Sequence, residues 1–82
     1  VRVLIVDDDP MMRIGLKYSL ANQPHLEIVG VVEDGFLGVE AVTELHPDVV
    51  IMDVGMPHMD GIAATRQIKQ ALPCVKVVML NR

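Results

Sequence analysis

Three aspartates at two separate places carry the chemistry in this sequence: Asp7 and Asp8 follow the apolar run 3–6, and Asp53 follows the apolar run 49–52. Carboxylates brought together repel one another, and without a counter-charge at least one of their pKa values rises. A divalent cation removes that strain. An all-oxygen ligand set with no His or Cys in it selects Mg²⁺ or Mn²⁺ over zinc or copper. A carboxylate beside such a hard ion can attack phosphorus, because the ion holds both it and the phosphoryl oxygens and offsets their repulsion. The plainer role for acids after a strand is to sit at a helix N-terminus, where each negative charge is worth about 0.3 to 1 kcal/mol. Asp9 fits that role, since Pro10 behind it suits a first helical position. Asp53 does not fit it, because the next helix starts eight residues later.

The other reactive side chains read as ordinary. His25, His46 and His58 lie in three different loops without metal-ligand spacing and are expected on the surface. Cys74 is the sole cysteine, too few for a disulfide framework, and is expected to behave as a small buried or half-buried hydrophobe. Gly30, Gly35 and Gly38 do not form a G-x-G-x-x-G after the first strand, which argues against a dinucleotide site. Gly55 stands where haloacid-dehalogenase-like phosphatases carry a second acid two residues past the nucleophile, so a hydrolase is disfavoured.

Four strands and three helices must position the acids. Residues 2–6 form a β-branched-rich strand ending in Asp7-Asp8-Asp9-Pro10. Met12, Leu16 and Leu20 then recur at i+4 with Arg13 and Lys17 on the opposite side, which predicts an amphipathic helix ending near Asn22. Residues 26–32 read as a second strand. Asp34 is the N-cap of a second helix, in which Phe36, Val39, Val42 and Leu45 recur up to His46 and Pro47. The third strand, 49–52, is wholly apolar, as expected of a strand buried on both faces. After the turn-rich stretch 54–61, Asp60 caps a third helix whose buried face carries Ala64, Ile68 and Leu72, and residues 75–80 make a fourth strand. The β-α-β-α-β-α-β alternation implies an α/β fold with a parallel sheet and right-handed crossovers. Strand order decides whether the acids meet: order 2-1-3-4 makes strands one and three neighbours, and order 3-2-1-4 separates them.

Composition sets the outer bounds. Of 82 residues, 51% are hydrophobic and 22% charged, which excludes disorder, and the longest apolar runs fall far short of the roughly 18 residues of a membrane span. No targeting segment is visible in the first residues, so a soluble, cytoplasmic chain without membrane contact is expected. Residues 1–48 hold nine acids against three bases, and residues 49–82 hold two acids against four bases, for a net −4. Nucleic-acid binding by such a chain is disfavoured.

Three stretches together, VLIVDDDP (3–10), VVEDG (31–35) and PDVVIMDVGMPHMDG (47–61), resemble the receiver domain of two-component response regulators, in particular those attached to a helix-turn-helix output domain. The resemblance runs through residues 1–82 but covers only about three and a half of the family's five β-α units, so the chain reads as one incomplete receiver, truncated after the fourth strand. It implies a flavodoxin-like three-layer sandwich of order 2-1-3-4. It also implies a phosphoacceptor module rather than a turnover enzyme: a sensor histidine kinase passes a phosphoryl group to Asp53, and an absent output domain makes any DNA contact. Asp8 is then expected to hold Mg²⁺ (or Mn²⁺) directly, Asp7 directly or through water, with an oxygen from Asp53 and the backbone carbonyl of Gly55. Pro57 and Gly61 are expected to shape the loop carrying that carbonyl, and Met56 to pack beside it. Two departures bear on switching. Asn81 stands where the family ends its fourth strand in a Thr or Ser that bonds the phosphoryl group, and the fifth strand's lysine is absent. The competing expectation is a phosphorylation-incompetent receiver-like fragment acting only in protein–protein association. The fourth strand, left as an edge carrying Val75, Val77, Val78, Met79 and Leu80, gives the 82-residue segment a route to self-association.

Overall fold

A computed structural model describes residues 1–56 and 61–80. Pro57, His58, the Asp60 cap and Asn81 therefore lie outside the described residues. The elements run β1 (Arg2–Val6), α1 (Pro10–Ala21), β2 (Glu27–Val32), α2 (Gly35–Leu45), β3 (Val49–Asp53), α3 (Gly61–Ala71) and β4 (Lys76–Leu80). The sheet is parallel throughout, in the order β2-β1-β3-β4. Of the two orders open to the sequence, this is the one that makes β1 and β3 neighbours. The architecture is the flavodoxin-like α/β arrangement, with helices on both faces.

The starts of α1 and α2 are set by the expected caps. Asp9 Oδ1 accepts from the Met11 amide at 2.9 Å, with Pro10 in the first helical turn. Asp34 Oδ1 accepts from the Leu37 amide at 2.8 Å. Each satisfies one of the amides that a helix N-terminus leaves without an intrahelical partner. His46 ends α2 in the left-handed conformation (φ 48°), its amide bonded to the Val42 carbonyl. Lys69, in the last turn of α3, donates to the carbonyls of Pro73 (3.2 Å) and Val75 (2.6 Å), tying that helix end to the approach of β4.

The two faces of the sheet are covered unequally. Leu4 and Val6 of β1 and Val50 and Met52 of β3 join Ala41 and Val42 of α2 and Ala64 and Ile68 of α3 in one core, which Met56 and Val75 complete. Val3 and Ile5, alternating with those residues, are buried toward α1. Helix α1 has no fully buried residue, and Met12, Leu16 and Leu20 are only half-buried along its inner stripe. Ile51 is half-buried, Val78 and Met79 are exposed, and the expected burial of β3 on both faces holds fully only on the α2/α3 side.

Several expectations need correction. Phe36 is 56% exposed, because the inner line of α2 runs through Gly35, Gly38, Ala41 and Val42 instead. Small residues there let the helix approach the sheet: a Cβ on Gly38 would stand 3.0 Å from Val6 Cγ2. Cys74 is exposed rather than buried, since it sits in the turn after α3 while its neighbour Val75 takes the core position. Strand β3 extends one residue further, to include Asp53, while β2 and β4 each begin one residue later than expected.

Candidate functional site

The carboxyl edge of the sheet, where β1 and β3 end, is built by register. Ile5 pairs with Ile51 and Val6 with Met52, so the next step levels Asp7 with Asp53 on adjacent strands. Neighbouring strands lie about 4.8 Å apart. Side-chain alternation then puts Asp7 with Val3 and Ile5, and Asp53 with Ile51, on the α1 side of the sheet. Asp8 lies beyond the last paired residue. The turn that presents it is closed by Asp7 Oδ1, which accepts from the Asp9 amide at 2.8 Å.

One carboxylate oxygen from each of Asp7, Asp8 and Asp53 lies within 4.8 Å of the others. Asp7 and Asp53 are each 1% exposed and Asp8 is half-buried. Carboxylates so close, two of them removed from water, repel across a medium that screens poorly. The donor set fits a hard divalent cation: it is all oxygen, it carries three negative charges, and Asp8 gives it a side open to solvent. Zinc and copper are disfavoured by the same chemistry, since no His or Cys of the described residues joins the cluster.

The loop after β3 is fitted closely to Asp53. The Gly55 amide donates to Asp53 Oδ1 at 3.1 Å, and the Val54 amide reaches the Leu80 carbonyl of β4 at 3.2 Å. Gly55 itself is exposed and has no positive φ, so nothing in its conformation demands glycine. Gly61 is different. It begins α3 directly against the Asp53 main chain, where a Cβ would lie 2.5 Å from the Asp53 carbonyl oxygen and 2.8 Å from Val54 Cα. Its amide bonds back to the Val54 carbonyl at 3.1 Å. At Gly61 the backbone of α3 thus comes too close to that of Asp53 and Val54 to leave room for a Cβ. Met56 is 5% exposed and belongs to the core, which is the plain packing role.

The structure therefore gathers Asp7, Asp8 and Asp53, with Gly55 and Gly61 around the last of them. Asp9 and Asp34 are helix caps, and His25 and His46 are exposed. Sequence reasoning missed one contact at this edge. Arg13 does not simply face away from the core: its Nη1 donates to the Asp7 carbonyl at 2.8 Å. The available signal was its place one turn into α1, close enough for a long side chain to reach back over the helix start.

Comparison with known proteins gives the same picture. A family model described as the response regulator receiver domain matches residues 3–82. Transcriptional regulatory protein LiaR of Bacillus subtilis is 46% identical over 81 residues, covering 99% of this chain and 38% of that protein. Transcriptional regulatory protein DegU of Brevibacillus brevis is 42% identical over 81 residues, covering 99% of this chain and 34% of that one. The chain thus spans well under half the length of these curated relatives. Among solved structures, the response regulator domain of Thermotoga maritima CheB superposes with a TM-score of 0.94 at 42% identity, over 99% of this chain and 60% of that one. The isolated REC domain of RcsB from Salmonella enterica serovar Typhimurium, solved with the phosphomimetic BeF3⁻, gives 0.89 at 30% identity over 98% of this chain and 60% of that one. With the parallel β2-β1-β3-β4 sheet and the acids converging where β1 and β3 end, the match over residues 3–82 establishes that this chain belongs to the response regulator receiver domain family.

Proposed function

We propose that this chain accepts a phosphoryl group on Asp53 from the phosphohistidine of a sensor histidine kinase, with Mg²⁺ or Mn²⁺ bound at Asp7, Asp8, Asp53 and the Gly55 carbonyl. The observation that carries this reading is the convergence of three carboxylates within 4.8 Å, two of them buried. Such a cluster is electrostatically adverse unless a cation is to be held there. When bound, the ion offsets the repulsion between an attacking carboxylate and the phosphoryl oxygens.

The chain's own residues do the rest. Asp53 stands at the end of a central strand, and the Gly55 amide holds its Oδ1, so the carboxylate is oriented before the donor arrives. An Asp53 oxygen forms the new O–P bond as the P–N bond of the phosphohistidine breaks. The electron pair returns to the imidazole nitrogen, and the product is an acyl phosphate. Asn81, outside the described residues, is the candidate donor to the transferred group, since its amide N–H₂ can supply a hydrogen bond. Pro57, also outside them, is assigned with Gly61 to shaping the loop after Gly55.

The module stores a phosphoryl group and does not turn substrate over. Its transcriptional effect is assigned to an output domain beyond these residues, which makes any DNA contact. No helix among the described residues is long and apolar enough to cross a membrane, and we assign the reaction to the cytoplasm. The deciding experiment is mass spectrometry of the protein after incubation with Mg²⁺ and acetyl phosphate. One phosphoryl adduct is expected on the wild type and none on Asp53→Asn. An adduct persisting on Asp53→Asn removes the assignment, and its absence from both proteins leaves the association-only reading.

A further inference from the structure

Arg13 is tied to the acidic edge by one short contact with a geometric consequence. The paired register of β1 with β2 ends at Val6 and Val32, and the Asp7 amide still reaches the Val32 carbonyl at 3.1 Å. The Asp7 carbonyl lies past that ladder and receives Arg13 Nη1 of α1 at 2.8 Å, in a partly buried setting. The same residue's Oδ1 is held by the Asp9 amide at 2.8 Å. Asp7 is therefore fixed through its amide, its carbonyl and its side chain. The carbonyl is the one that matters for the neighbouring acid, because it defines the peptide plane that leads into Asp8. Asp8 is the half-buried member of the three acids, lying beyond the strand where the ladder no longer sets its direction.

We infer that Arg13 is a positioning residue for the divalent cation: by clamping the Asp7 carbonyl it holds the Asp7–Asp8 peptide so that the Asp8 carboxylate is aimed at the site before the ion arrives. The inference rests on the phosphoacceptor reading above. Charge alone predicts the opposite sign. A guanidinium close to a cation site repels the ion, so removing it would tighten binding. A positioning contact behind a metal ligand works the other way, and losing one weakens metal affinity by about 10- to 100-fold.

The test uses the full-length polypeptide that carries these residues, with Mg²⁺ alone as the probe, titrated by calorimetry. Arg13→Met keeps the aliphatic stem and loses the donor, and it is expected to weaken Mg²⁺ by about tenfold. Arg13→Lys, which can still donate to the carbonyl, is expected to restore most of that loss. A second measurement separates positioning from mere folding: without metal, the Asp9 amide should exchange hydrogen faster in Arg13→Met while the global melting midpoint stays near that of the wild type. Unchanged or tighter Mg²⁺ binding in Arg13→Met overturns the inference, as does an Asp9 amide protected as in the wild type. Failure of the wild type itself to bind Mg²⁺ would sink the site reading instead, and the Asp9 exchange rate would still decide whether Arg13 holds the turn.

Discussion

The two edges of the sheet use the same side chain for opposite ends. At the amino edge Asp48 is exposed, and its Oδ2 accepts from the Arg2 amide at 2.7 Å. Its own amide reaches the Arg2 carbonyl at 2.9 Å, and its carbonyl accepts from the Lys76 amide at 3.0 Å, so one residue stitches the starts of β1, β3 and β4. At the carboxyl edge Asp7 and Asp53 are 1% exposed and crowd with Asp8. The first arrangement serves stability, because a solvated carboxylate bonded to a backbone amide carries little desolvation penalty. The second packs like charges together away from water, which costs stability wherever nothing offsets them, and acids so placed are candidates for a functional site rather than for a scaffold.

The strongest way to break this comparison is to ask whether a cation relieves only the carboxyl edge. Saturating Mg²⁺, at about 100 times its Kd, is expected to stabilise the full-length protein by about 2.7 kcal/mol, since it binds the folded state and not the unfolded chain. Asp8→Ala should abolish that gain. Thermal melts with and without Mg²⁺ measure both, and an equal upward shift in the variant would remove Asp8 from the ligand set.

Next in size is Gly61→Ala. Its new Cβ meets main-chain atoms of Asp53 and Val54, which cannot rotate out of the way as a side chain can. Overpacking of this kind costs about 1 to 3 kcal/mol, and the strain falls on the residue that bears the proposed nucleophile. Denaturant melts should show the loss, and phosphoryl incorporation at Asp53 should slow with it. A variant with an unchanged midpoint would mean that α3 can draw back without disturbing the carboxyl edge.

Much of this was legible in the sequence, for physical reasons that differ from residue to residue. Asp9 before Pro10 and Asp34 before the second helix declared themselves as caps because capping is local and needs only a few residues of context. The parallel α/β alternation was equally plain, and it told which end of each strand would share an edge. Strand order was not readable from periodicity, which is blind to which strands become neighbours, and the resemblance supplied it. The contact of Arg13 with the Asp7 carbonyl was hidden because the helical wheel assigns a charged residue to the solvent face and ignores the reach of a long side chain. Phe36 misled for a related reason: near the start of α2 its spacing matched the apolar stripe, but the small residues Gly35, Gly38 and Ala41 form the approach to the sheet. Asp48 passed unnoticed because a carboxylate bonded across 46 residues leaves no trace in a local pattern.

A smaller effect sharpens the comparison by its sign. In metal-free solution Asp53→Asn removes one charge from the crowded edge and keeps an oxygen to accept from the Gly55 amide. The variant is expected to be more stable than the wild type by about 1 kcal/mol or more, since a Coulomb term between charges a few ångströms apart is already of that size under full screening by water and grows where screening is poor. Urea melts in a chelating buffer test this, and a destabilised variant would show that the carboxylates are not in net repulsion there.

The smallest effect is expected at the other edge, and its smallness is the point. Asp48→Asn also removes a charge, but the amide oxygen it leaves can still accept from the Arg2 amide, and the residue is exposed, so little solvation changes. Substitutions of this kind stay within about 0.5 kcal/mol. Mg²⁺ affinity should also be unaltered. Strand β3 separates Asp48 from Asp53 by its five residues, roughly 17 Å at the rise of an extended chain. That exceeds the Debye length of about 8 Å at physiological ionic strength, so the lost charge is screened from the site. Calorimetric titration of Asp48→Asn with Mg²⁺ at that ionic strength measures the coupling directly. A several-fold change in affinity would mean that the two edges are linked through the strand itself, and that the amino-edge stitching of β1 to β3 helps set the register on which the convergence of Asp7 with Asp53 depends.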